Sequence, residues 1–140
     1  MNFLERIHNM DLGHLLVRIA MGIVFIQHGW MKVNGMEGTI GFFDTLGFPA
    51  FLAYFVAYLE VIGGAALILG VFTRYAAILL AITMAVAVFK VHFANGFSVS
   101  AGGYEFALVL MLGSLAIAFM GAGSYAVERF FKKSAPAPML

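Results

Sequence analysis

The chain has 140 residues, of which 63% are hydrophobic and only 11% charged, with a net charge of +1 and no cysteine. A soluble domain of this size carries about a quarter charged residues, so the composition is that of a membrane protein, and no basic arm suited to nucleic acid is present. Absence of cysteine excludes disulfides, thiol–disulfide exchange, cysteine-ligated iron–sulfur clusters and covalently attached c-type haem.

Residues 1–12 intersperse Phe3, Leu4, Ile7 and Met10 with Glu5, Arg6, His8 and Asp11, the pattern of a short amphipathic helix at the membrane surface. The positive region is too weak, and the apolar stretch after it too long, for a cleavable signal, so the first helix is expected to be retained. Apolar segments over about 13–31, 50–69, 75–93 and 104–120 each approach the roughly 20 residues that cross a bilayer core. Between the first two, Ile40, Phe43 and Leu46 recur every third residue, predicting a short interfacial helix or re-entrant turn closed by Gly47-Phe48-Pro49. Residues 70–74 form a tight connection, and Asn95-Gly96 and Gly102-Gly103 mark the last one. The prediction is an all-α membrane protein: a bundle of four transmembrane helices forming a single domain over 1–128, with the amphipathic N-terminal segment at its start. A disordered tail carrying basic residues and prolines follows over 129–140.

Four spans place both termini and the second connection on one side. That side holds Arg6, Arg74, Arg129, Lys132 and Lys133, against Lys32 and Lys90 on the other, so both termini are expected to be cytoplasmic in a bacterial-type inner membrane.

Ionisable groups at membrane depth are costly and mark sites or structural pairs. At about 100° per residue, Arg18, Gly22, Phe25, Gly29 and Lys32 share one face of the first helix, with His28 roughly a quarter-turn away. Depth arguments pair Arg18 with Glu60 in the interior, and Glu105 with Lys90 or Lys32 nearer the outer side. Gln27, His28, His92, Asn95 and Tyr104 add hydrogen-bonding groups around that outer set, and an outward polar cavity is expected. The competing reading makes Arg18–Glu60 a buried structural pair, with Gly22, Gly29, Ala53, Ala57 and Gly64 letting the two helices approach closely. His28 and His92 invite a metal or haem, but Lys90 and His92 lie about 200° apart on a regular helix and do not both face one cavity. Metal ligation is therefore disfavoured.

The ordered set Arg18-x3-Gly22-x2-Phe25-x2-His28-Gly29-x2-Lys32, Phe43-x2-Leu46-Gly47-x-Pro49, Glu60-x2-Gly63-Gly64-x2-Leu67-x2-Gly70-x2-Thr73-Arg74, His92, Glu105 and Gly121-x-Gly123-x-Tyr125 resembles the DoxX-like membrane proteins. The resemblance implies a four-helix membrane fold and marks Arg18, His28, Lys32, Glu60, His92 and Glu105 as functional candidates. Some members of that family are subunits of a thiosulfate:quinone oxidoreductase, and others are associated with redox defence or with detoxifying quinones and catechols. The family's closing motif often has an acidic residue soon after the Tyr125 position. Here Ala126 and Val127 intervene before Glu128, so that end receives no role.

The favoured expectation is an oxidoreductase component that handles a quinone or similar small redox molecule with a partner protein. His28 or His92 would exchange protons, Lys32, Lys90 or Arg18 would stabilise an oxyanion, and Glu60 and Glu105 would balance charge and relay protons. Gln27 and Tyr104 complete the expected binding set. A quinone is the candidate cofactor or ligand, with haem and metal disfavoured. The expected partners are the bilayer and a redox protein or a second copy, not nucleic acid. The alternatives are a non-catalytic anchoring or assembly subunit and a small proton-coupled carrier.

Overall fold

The computed structural model describes residues 10–132, which contain helices and no strand. In chain order these are α1 (Met10–Asn34), α2 (Met36–Thr45), α3 (Ala50–Leu69), α4 (Thr73–Val86), α5 (Glu105–Met120) and α6 (Glu128–Lys132). A π-helical turn, Ala87–His92, and a 3₁₀ turn, Phe93–Asn95, prolong α4, and a second 3₁₀ turn, Val99–Ala101, lies in the connection to α5.

Three helical stretches are long and apolar enough to span a bilayer: Met10–Asn34, Ala50–Leu69 and Thr73–Asn95. The fourth, α5, has 16 residues, roughly 24 Å at ~1.5 Å per residue against a ~30 Å hydrocarbon core. The fold is that of an all-α membrane protein. The short helix predicted between the first two spans is α2. Most of the predicted amphipathic segment, residues 1–9, lies outside the described residues. The tail differs at its start: Glu128–Lys132 is helical, so the disorder expected from Arg129 does not begin there, and residues 133–140 lie outside the described residues.

Side-chain size is distributed as lipid solvation requires. Phe51, Ile62, Tyr75, Ile82 and Phe119 point outward, whereas Ala53, Ala57, Gly63, Gly64 and Ala77 are buried. With no water to expel between helices, close backbone approach and dispersion hold them together. The seam of α1 with α3 shows this most clearly. A Cβ added at Gly29 would stand 2.7 Å from the Val61 nitrogen and 2.8 Å from the Ala57 oxygen, and one at Gly64 would stand 2.7 Å from the Gly22 oxygen. The antiparallel register is therefore fixed with Gly22 against Gly64 and Gly29 against Ala57. Phe25, Leu67, Leu80 and Ile117 from four helices meet at the centre of the core.

Candidate functional site

A cavity of about 620 Å³ opens in the half of the bundle that holds α2 and the loop before α5. Its surface is mostly apolar, with Phe25, Phe43, Phe106 and Leu110 among its walls. Five polar side chains interrupt it: His28 and Lys32 from α1, Glu60 from α3, Thr83 from α4 and His92 from the π-turn. An apolar chamber of this size with a few convergent polar groups is the usual form of a small-molecule site.

Each polar group reaches the chamber for a local reason. His28 and Lys32 are four residues apart and so stack on one face of α1. Lys32 Nζ donates to Glu60 Oε2 at 2.5 Å, with the glutamate side chain 2% exposed and the lysine 28%. The His28 ring leans on Phe106, with centroids 5.7 Å apart. His92 Nδ1 lies 2.8 Å from the Gly102 carbonyl oxygen. A carbonyl has no proton to give, so Nδ1–H donates, and in the neutral ring Nε2 remains an acceptor. Asn95 Nδ2 donates to the same carbonyl at 3.1 Å, tying the end of α4 to the loop.

Three pairings expected from depth differ here. Arg18 does not meet Glu60, because the glycine register sets it level with Ile68, eight residues or about 12 Å beyond the carboxylate. Its guanidinium is buried among backbone carbonyls instead. Nε donates to Leu67 at 2.8 Å, Nη2 to Ile68 at 3.0 Å, and Nη1 to Tyr125 at 3.0 Å and to Ala122. These oxygens belong to the last turn of α3 and the segment after α5, where helix carbonyls have no partner and the helix dipole is negative. Glu105 pairs with neither Lys90 nor Lys32, since at the start of α5 its Oε1 accepts the Val99 N–H at 3.0 Å.

The chamber thus gathers four of the predicted residues, His28, Lys32, Glu60 and His92. It does not gather Arg18, Gln27, Lys90, Tyr104 or Glu105. Gln27 and Lys90 are exposed on other faces. Tyr104 stacks on Phe93 at 5.6 Å and meets Phe97 edge-on at 5.5 Å. Among the described residues no group of three histidine, aspartate or glutamate side chains is placed to hold a metal ion. Sequence reasoning missed Thr83 and the aromatic roof formed by Phe42, Phe43 and Phe48. The signal for the roof was present as three phenylalanines in an otherwise glycine-rich connection.

The family model described as DoxX matches residues 13–93. The Bacillus subtilis (strain 168) protein named "Putative oxidoreductase CatD" is 38% identical over 125 residues, covering 89% of this chain and 91% of its own. The Escherichia coli (strain K12) "Inner membrane protein YqjF" is 35% identical over 125 residues, covering 88% of this chain and 95% of its own. No solved structure matches significantly.

Proposed function

The chain belongs to the DoxX family of membrane proteins, and from that premise we propose that it is an oxidoreductase component whose cavity binds a quinone or a similar small redox molecule. The observation that carries this reading is the Lys32–Glu60 pair set beside His28 and His92 in an otherwise apolar chamber. Aromatic walls suit a planar ring. The Lys32 ammonium supplies a charge-assisted hydrogen bond to a ring oxygen, strengthened as negative charge develops there on reduction. Glu60 holds the ammonium in place and balances it. Converting a quinone to a quinol takes up two electrons and two protons. His28 and His92 are the proton-exchanging groups, and the electrons come from a redox partner protein. The name of the Bacillus relative is consistent with redox chemistry.

The test is binding of a short-chain ubiquinone to the detergent-solubilised protein by equilibrium dialysis with mass-spectrometric detection. One equivalent is expected to bind, and both Glu60→Gln and His28→Ala should weaken it by about tenfold, ~1.4 kcal/mol. A folded wild type that binds no quinone overturns the reading. A subunit role without chemistry is favoured by one observation, the all-backbone partnership of Arg18, and would then stand in its place.

A further inference from the structure

Part of the chamber wall faces the lipid. Phe55 on α3 and Ile82 and Val86 on α4 line the cavity, yet they are 53%, 57% and 39% exposed. On membrane-spanning helices that exposure is to acyl chains. Phe55 also borders a shallow apolar groove of about 420 Å³ on the outer face of α3, beside Tyr54, Tyr58 and Ile62. Phe55 is therefore common to the inner chamber and the lipid-facing groove.

The packing of α3 and α4 explains this exposed wall. The two helices are joined by residues 70–72 and pack closely near that turn, where Gly63 admits Leu80: an added Cβ would lie 3.1 Å from Leu80 Cδ1. Farther from the turn, Val56 and Phe55 on one helix and Thr83 and Val86 on the other line the cavity between them. Two features of α4 favour this divergence. Thr83 Oγ1 donates back to the Leu79 carbonyl at 3.0 Å, a bond that tends to bend helices. The π-turn Ala87–His92 then breaks the regular α-helical repeat. Phe42, Val99 and Phe106, which also line the chamber, are 47%, 54% and 40% exposed at its α2, loop and α5 edges; two other boundaries are closed. Backbone contacts close α1 against α3, and Gly103 fits the loop so closely that a Cβ there would stand 2.6 Å from the Phe97 oxygen.

We propose that the ligand of this cavity is a membrane-dissolved amphiphile, a polar head on a long apolar tail, that enters and leaves sideways between α3 and α4. The head lies toward Lys32 and Glu60, and the tail passes Phe55 into the outer groove. This deepens the functional reading above and rests on the chamber being the ligand site. A chamber of this size encloses a drug-sized head group. A long tail needs the exit that the seam supplies.

Two measurements test the portal. In the first, a Trp30→Phe, Phe25→Trp chain places its one indole in the chamber wall, and the protein is reconstituted in vesicles of acyl-brominated phosphatidylcholine. Fluorescence is expected to be quenched, and filling the seam with Ile82→Phe and Val86→Phe should restore it. Quenching that is absent, or indifferent to the filled seam, overturns the proposal. The second uses the unaltered protein and compares one benzoquinone with and without a decyl tail. The tailed form should bind at least about tenfold more tightly, and the filled seam should abolish that preference, read as the ratio of the two affinities in the same variant. Equal binding of the two by wild type overturns the portal and leaves the functional reading intact. Failure of both to bind overturns the functional reading, and the quenching result still decides the portal.

Discussion

Glu60 is 1% exposed within a spanning helix, and its carboxylate reaches one cation, Lys32. The partners are unequal in their alternatives. Lys32 has a flexible stem and partial exposure, so without Glu60 it can extend toward the headgroups. Glu60 has no such route. Lys32→Met should therefore destabilise the detergent-solubilised protein by about 3 kcal/mol, the low end for a broken buried pair because the lysine is partly exposed. Glu60→Gln should cost less, and the double variant should melt closer to wild type than Lys32→Met does. Thermal unfolding followed by size-exclusion chromatography checks the order; equal melting of the three variants would contradict the pairing. The sequence made Glu60 legible as a buried carboxylate needing a cation, and depth grouped His28 with Lys32 near the outer side. It did not make the partner legible, because depth counted from helix ends is coarser than the register set by Gly22 against Gly64. The same register sends Arg18 to the carbonyls of a helix end, a kind of partner that leaves no mark in side-chain chemistry.

Helices α1 and α3 approach through glycine backbone, so side-chain volume is tolerated only where the neighbour is absent. Gly29→Val places its branches into the Val61 nitrogen and the Ala57 oxygen, which belong to the α3 backbone and do not give way. It should destabilise the fold by about 1–3 kcal/mol, the usual range for overpacking. Gly13→Val, where an added Cβ meets nothing within 4 Å, should leave the melting temperature near wild type. Comparable losses from both would mean that helix propensity, not interhelical contact, governs the seam. At this scale the helices were readable from apolar run lengths, and α2 from the three-residue recurrence of Ile40, Phe43 and Leu46. The π-turn was not readable. No glycine or proline marks residues 87–92, so no local breaker announces it.

For the molecule as a whole, the charge distribution predicts an orientation. Arg74 and Arg129 lie toward the end that holds Arg18, and Lys32 and Lys90 toward the end that holds the chamber, which places the chamber end outside the cytoplasm. A chain without cysteine is suited to testing this with single substitutions. Ser98→Cys should react with a membrane-impermeant maleimide in intact spheroplasts, and Ser124→Cys only after permeabilisation. The reverse pattern would invert the orientation. The four-span plan was legible because membrane thickness dictates helix length. The cavity was legible only as a cluster of polar residues, since its volume arises from two helices diverging after a tight turn, and no residue spacing encodes that divergence.

The Arg18 clasp also orders events during synthesis. Two of its four acceptors, Leu67 and Ile68, are made when the first hairpin is complete, but Ala122 and Tyr125 emerge more than a hundred residues after the arginine itself. The same late segment returns to the end of α3 through its backbone, with Val127 donating to Leu69 at 3.0 Å and Glu128 to Gly70 at 3.1 Å. A nascent chain that stalls after α5 therefore holds a guanidinium with only half of its acceptors in place. Closure of the clasp thus waits on the segment after α5.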